Sequence, residues 1–248
     1  MSATYYVKRM AAGAALILMV VGVLTLVSSP GRADGDRVDH DRGDGHGDLD
    51  KVLIGLRIAP VPLNMTHKDR SLVGLGSYIV NAVADCNGCH SAGPQTEYTV
   101  TGNPYLFAPP SQTLHMAKQV NPATYLGGGQ DFGPYPAPNS PLHIYSRNLT
   151  PDDTGRPEGG NSLNDFLVIM KTGKDFDHIH PTCPAGTAQT ASCVPYPFDG
   201  NLLQVMPWPA FQDMTREDLT AIYAYLSAIP CVDTVVAGQP QLRNNCPK

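Results

Sequence analysis

The stretch Cys86-Asn87-Gly88-Cys89-His90 sets two thiols three positions apart, with an imidazole directly after the second. This spacing suits the covalent attachment of one haem: each sulfur can bond a vinyl group, and the histidine then falls under the iron as an axial ligand. A C-x-x-C redox pair has no use for the adjacent histidine and is expected near a βαβ pattern. A zinc site needs further Cys or His ligands at similarly short spacing. No second C-x-x-C occurs in the chain. The spacing therefore predicts a single covalent haem c, with Cys86 and Cys89 as attachment points and His90 on the iron.

The group on the other face of the iron decides between electron transfer and chemistry on small ligands. In Asn201-Leu202-Leu203-Gln204-Val205-Met206-Pro207-Trp208-Pro209, the two prolines fix φ and keep the segment out of a helix, so the Met206 thioether is stiffly held. Methionine is more commonly a flexible core filler. Met170 falls on an apolar helix face and Met214 lies close to the start of the last helix. His178 and His180 are rival ligands, although they, like His115 and His143, also suit ordinary loop positions.

Three helices must position these groups. From Ser71 to Cys86, Leu72, Leu75, Ile79 and Val83 share one face, while Gly74, Tyr78 and Ala82 form an adjoining stripe that permits close approach of another helix. This helix is expected to run on into Cys86. A second helix is expected over Ser162 to Thr172, with Ser162 and Asp165 as a capping pair and Gly173 as the stop. The last begins with Thr215 as N-cap and Asp218 three residues later, and runs through Leu219, Ile222, Tyr223 and Leu226 toward Pro230. Tyr223 or Tyr225 is expected to pack over Gly74 or Ala82. For His90, the second ring nitrogen should donate to a backbone carbonyl, with Pro94 one source.

Between 91 and 160 lies a tract dense in Pro, Gly, Tyr and Asn. Loops of this length are usually functional or interfacial. Short strands or turns over the haem edge are expected, and Tyr98, Tyr105, Tyr125, Tyr135 and Tyr145 suit either a docking surface for other chains or packing of the loop onto its own core. The start of the chain, Lys8 and Arg9 followed by an apolar run from Met10 to Val27 and small residues up to Ala33, reads as an export signal over 1–33. An uncleaved membrane anchor is the alternative. Residues 34–70 read as a polar spacer and an extended lead-in. Within that spacer His40 and His46 stand among aspartates that match no calcium loop. The formal net charge of −5 and the absence of any Lys/Arg-rich run argue against a nucleic-acid partner.

Several motifs together carry a family resemblance over roughly 71–230. Asn148-Leu149-Thr150-Pro151-Asp152, then the Asp165-Phe166 helix ending at Thr172-Gly173, then Met206-Pro207-Trp208 and the Glu217 to Leu226 run come after the attachment motif in order. The chain resembles class I c-type cytochromes, in particular the cytochrome c domains that serve as subunits or partners of periplasmic dehydrogenases. That resemblance implies a mainly α fold, a class I cytochrome c-like helical haem domain over 71–230 with a long Gly/Pro-rich loop insertion over 91–160, and a crossing of the first and last helices next to the haem. It also implies Met206 as the sixth ligand, and Arg147, Asn148 and Trp208 as residues bordering the haem propionates. The single C-x-x-C-H, the insertion and the additional cysteines depart from the family pattern.

Four cysteines remain once the haem takes two, and three pairings are open to them. The sequential one, Cys183 with Cys193 and Cys231 with Cys246, closes short local loops and would tether the tail 231–248. Disulfides and haem c attachment both point to an exported location, periplasmic or extracellular. A His/Met-ligated iron has no open site, so the expected function is single-electron transfer between redox proteins, with no catalytic activity of its own. Two other readings stay open: a haem subunit of a larger assembly, such as a dehydrogenase complex or cytochrome polymer joined through 91–160, and a peroxidase or gas-binding protein.

Overall fold

Seven α-helical segments, one π-helical turn and a two-stranded sheet make up the regular structure among the described residues. The structure, a computed structural model, describes residues 44–104, 118–135, 137–190, 193–234 and 244–247. The expected export signal over 1–33, His40, the His46 side chain, Tyr105 and His115 lie outside them. The architecture is mainly helical, in agreement with the fold class read from the sequence at that level. No described helix is long and apolar enough to cross a membrane.

The first helix, α1 (Asp44–Ile58), replaces the expected spacer and extended lead-in over those residues, while 34–43 lie outside the described residues and 59–69 are non-helical. Val52, Gly55, Leu56 and Ala59 recur at three- and four-residue spacing, which is enough to form an apolar stripe despite the Asp/Gly-rich start. α1 packs on α2 (Arg70–Tyr78) at very close range. A Cβ on Gly55 would overlap the Gly74 carbonyl, and one on Gly74 would meet Val52. The small-residue stripe therefore receives α1 at Gly74, whereas the last helix, α7 (Arg216–Leu226), approaches a different face of α2, at Gly76, where Ala221 and Tyr225 close in.

The single helix expected over 71–86 is divided into three pieces. Asp69 caps α2 by accepting from the amides of Ser71 and Leu72. The helix then widens to a π-turn over Ile79–Val83, closed by the Ala84 amide on the Ile79 carbonyl at 2.8 Å. Asp85 takes a left-handed conformation with φ 47° and ends it, and α3 (Cys86–His90) starts afresh. π-bulges of this kind recur at functional sites, and here the extra residue re-aims the segment that carries the attachment motif.

The remaining helices obey their sequence signals. The kinked single turn α4 (Pro157–Gly160) precedes α5 (Leu163–Thr172), which carries the full Ser162/Asp165 capping box and ends at Gly173 with φ 69°. A short α6 (Trp208–Phe211) leads to α7, capped by Thr215 accepting from the Asp218 amide. Val73, Val80, Leu126, Leu219 and Leu226 are almost wholly buried where these helices meet, each contributing roughly 1.5–3 kcal/mol through burial. Within this core Tyr125 and Tyr225 share a 2.7 Å hydroxyl contact and both bond the Asn81 amide.

In the 91–160 tract, strands β1 (Asp131–Pro134) and β2 (His143–Tyr145) form the antiparallel sheet. Tyr98 and Tyr125 are buried, so these two tyrosines pack the loop onto its own core. The cysteines pair sequentially, Cys183 with Cys193 and Cys231 with Cys246. The second bridge folds the tail back so that buried Asn244 donates to the carbonyls of Thr150 and Pro151 at 2.9 and 3.0 Å.

Candidate functional site

α3 reaches its position through contacts with a segment far along the chain. The buried Asn87 side chain accepts from the Leu126 amide at 2.9 Å, and the Gly128 amide donates to the His90 carbonyl at 2.7 Å. Gln130, with its amide nitrogen turned toward α3, donates to the carbonyls of Gly88 and Cys89. These bonds satisfy carbonyls that a helix of five residues leaves orphaned.

Cys86, Cys89 and His90 stand together in the wall of one large cavity. The space between its walls is about 1400 Å³, a figure that includes solvent at the open mouth. α5 lines it with Phe166, Ile169 and Met170, and α7 with Ile222 and Leu226. The β1–β2 hairpin contributes Phe132, Ile144 and Tyr145. Met206 is in the same wall, half-buried, and the loop that carries it is anchored rather than loose. The Leu203 amide donates to the Gly173 carbonyl at 2.7 Å, and the Trp208 indole donates to the Leu203 carbonyl at 3.2 Å.

The two thiols are free in the chain as it stands. Burial pushes the Cys86 thiol up to about 12, with Asp85 adding to the effect, and burial likewise raises Cys89. A dithiol redox centre works through a thiol lowered toward neutrality, which is the opposite trend. Among the described residues no group of three or more His, Cys, Asp or Glu is arranged to hold a metal, so half of a zinc site is not completed there. His90 is lowered by burial, keeping its imidazole neutral, and its Nδ1 donates to the Arg147 carbonyl at 2.7 Å. That bond fixes the tautomer and leaves the Nε2 lone pair available to a metal. The acceptor is therefore Arg147, not Pro94.

Arg147 does more than accept from His90. Its guanidinium lies in the cavity wall, held by Asp175 at 2.8 Å and also by Asp177. Asn148 and Trp208 are not among the lining residues. Asn148 is buried, its amide donating to the Val232 carbonyl while its oxygen accepts from the Thr150 amide and hydroxyl. Trp208 packs its ring beneath Gly173, where a Cβ would overlap it. Both residues brace the loops on which Arg147 and Met206 ride. Of the rival ligands, Met170 and His180 line the cavity, whereas Met214, His143 and His178 do not. His143 instead pairs with Asp131 at 2.8 Å.

Two contributors escaped sequence reasoning. Gly128, with φ 69°, sits against the Arg147 carbonyl so closely that a Cβ would overlap it, which makes glycine necessary beside the His90 acceptor. The Gly127-Gly128-Gly129 run was its signal. Glu158 was marked by nothing in the sequence: its side chain enters the cavity wall, and Oε2 is buried with no hydrogen-bond partner. Burial raises its carboxyl to about 7, Asp175 adding to that and Arg147 opposing it.

A covalently held haem can be tested against this donor set. Two thiols one helical turn apart, a neutral imidazole oriented by its other nitrogen, a thioether on an anchored loop and apolar walls all suit a flat, hydrophobic macrocycle with an iron at its centre. The residues fit the group. No family model, no curated protein and no solved structure matches the chain.

Proposed function

We propose that this chain is an exported monohaem c-type cytochrome, a class I cytochrome c-like helical domain that passes single electrons between redox proteins. The observation that carries this reading is the meeting of Cys86, Cys89, His90 and Met206 in one apolar cavity, although 116 positions separate the histidine from the methionine. When bound, the haem supplies an iron that cycles between Fe(III) and Fe(II). Cys86 and Cys89 hold its edge by thioether bonds. His90 offers Nε2, kept in line by the Arg147 carbonyl, and Met206 offers its sulfur from the loop anchored by Trp208. With His90 and Met206 as its ligands the iron would offer no position to a substrate, and a His/Met pair would favour a higher potential than two histidines. The apolar walls exclude water, which limits the reorganisation that accompanies a change of charge. The two disulfides support an oxidising compartment outside the cytoplasm.

The test is the mass and spectrum of the chain expressed with its N-terminal segment in a host that attaches haem c. One haem per chain is expected, bound covalently and absent from Cys86→Ala/Cys89→Ala. Met206→Ala should lose the far-red sulfur-to-iron absorption band of the oxidised protein while keeping the haem. A wild-type mass without haem would falsify the reading, and a spectrum unchanged by Met206→Ala would remove that residue as ligand.

A further inference from the structure

The cavity wall holds a half-buried acid, Glu158, whose Oε2 atom is buried and which the function above does not use. Glu158 lies on the kinked α4 turn, with φ 52° in the left-handed region that non-glycine residues rarely adopt. The flanking chain fixes that conformation: the Asn161 amide donates to the Glu158 carbonyl at 2.9 Å, and Pro157 is fully buried. The carboxyl is thus delivered inward by a strained backbone and not by a flexible loop. Strain of this kind clusters at functional sites.

We infer that Glu158 takes up a proton when the iron in this cavity is reduced and releases it on oxidation, so that the chain couples electron transfer to proton transfer. This rests on the haem reading proposed above. In the step, the electron comes from the one-electron donor protein and converts Fe(III) to Fe(II), and a proton from solvent bonds to the Glu158 carboxylate. Oxidation by the acceptor returns both.

Three observations carry the inference. Glu158 Oε2 is buried without a hydrogen-bond partner, and burial outweighs the Arg147 charge and the Asn161 side-chain hydrogen bond that favour the ionised carboxyl. The one cation facing it, Arg147, is already divided between Asp175 and Asp177. The cavity it lines is the one that holds His90 and Met206, so a unit change of charge there acts through a water-poor interior, where charges interact strongly. Added negative charge favours the protonated acid, and by linkage the protonated acid favours the electron. The other titratable groups of the wall, besides the Cys86-Cys89-His90 cluster, are Asp85, Tyr145, Asp175 and His180. Burial holds His180 low, with Arg147 acting in the same direction, so it stays neutral at the pH where Glu158 titrates. Burial pushes Glu158 up to about 7, which sets the pH range in which the exchange is sought.

The experiment is a potentiometric titration of the haem-loaded full chain between pH 5 and 9, for wild type, Glu158→Gln, Glu158→Asn and Glu158→Asp. The wild-type potential should fall with rising pH around neutrality, with a slope approaching 59 mV per tenfold change in proton concentration for a one-electron couple. Gln and Asn should flatten that slope, Asn being the better tolerated at a positive φ, and Asp should keep it in a displaced window. Reduced-minus-oxidised infrared spectra should show a protonated-carboxyl band in wild type that Glu158→Gln lacks. A haem-loaded Glu158→Gln or Glu158→Asn that retains the wild-type slope overturns this inference and leaves the cytochrome reading standing. A chain without haem overturns both.

Discussion

At the scale of single residues, buried polar groups divide into those that are satisfied and those that are not. Asn148 belongs to the first kind, bonding Val232, the Thr150 amide and the Thr150 hydroxyl at 2.7–2.9 Å. Asn148→Ala strands these partners and should lower stability by about 1–3 kcal/mol, read as a drop in the urea midpoint at constant m-value. Glu158 belongs to the second kind. Its folded value of about 7 lies above the ordinary 4.5, so between these pH values the folded chain binds more protons than the unfolded one. The contribution of Glu158 to stability is then fully present below about pH 4.5 and is lost as pH rises through 7, by roughly 1.4 kcal/mol per pH unit at the steepest. Urea midpoints at pH 5 and pH 8 should show this decline in wild type and its loss in Glu158→Gln. The bracing roles of Asn148 and Trp208 were not legible in the sequence for a simple reason. A motif fixes which residues are present near a site, whereas hydrogen bonding to Val232 and packing under Gly173 depend on chain that arrives from elsewhere.

At the scale of elements, glycines set how closely the helices approach. A Cβ at Gly76 would enter the Ala221 carbonyl on α7, a backbone atom that cannot rotate aside. Gly76→Ala should therefore cost about 1–3 kcal/mol or more, with a lower thermal midpoint. Gly47→Ala, where a Cβ meets nothing, should be neutral or stabilising. The same contrast explains what could be read beforehand. α5 and α7 carry their start and stop signals locally, in Ser162, Asp165, Gly173, Thr215 and Asp218, and both formed where those signals stand. The break between Ile79 and Cys86 has no such signal. Leu72, Leu75, Ile79 and Val83 keep helical spacing straight through it, yet Val83 ends 64% exposed because the π-turn rotates its side of the helix outward. α1 was missed because its first half is Asp and Gly, and the stripe that holds it lies on its partner, α2.

At the scale of the whole molecule, the cavity is lined by residues from Val80 to Leu226, and the tail bonds the Asn148–Pro151 segment that follows Arg147. Cys231→Ser/Cys246→Ser should cost roughly 2–4 kcal/mol and lower the urea midpoint, because it frees Asn244 from Thr150 and Pro151 and slackens the turn that carries Arg147. The sequential disulfides were legible from loop length. The His90 acceptor was not, since it lies 57 positions away and is a main-chain atom without a side-chain signature. The fold of the tail also bears on timing. Thiols, imidazole and their short helix emerge first during synthesis; the carbonyl that aims His90, the methionine loop and Asn244 emerge in that order afterwards. On the proposed function, haem attachment at Cys86 and Cys89 would precede in synthesis the Cys231–Cys246 bridge, and that bridge would then settle Asn244 against the Thr150 segment.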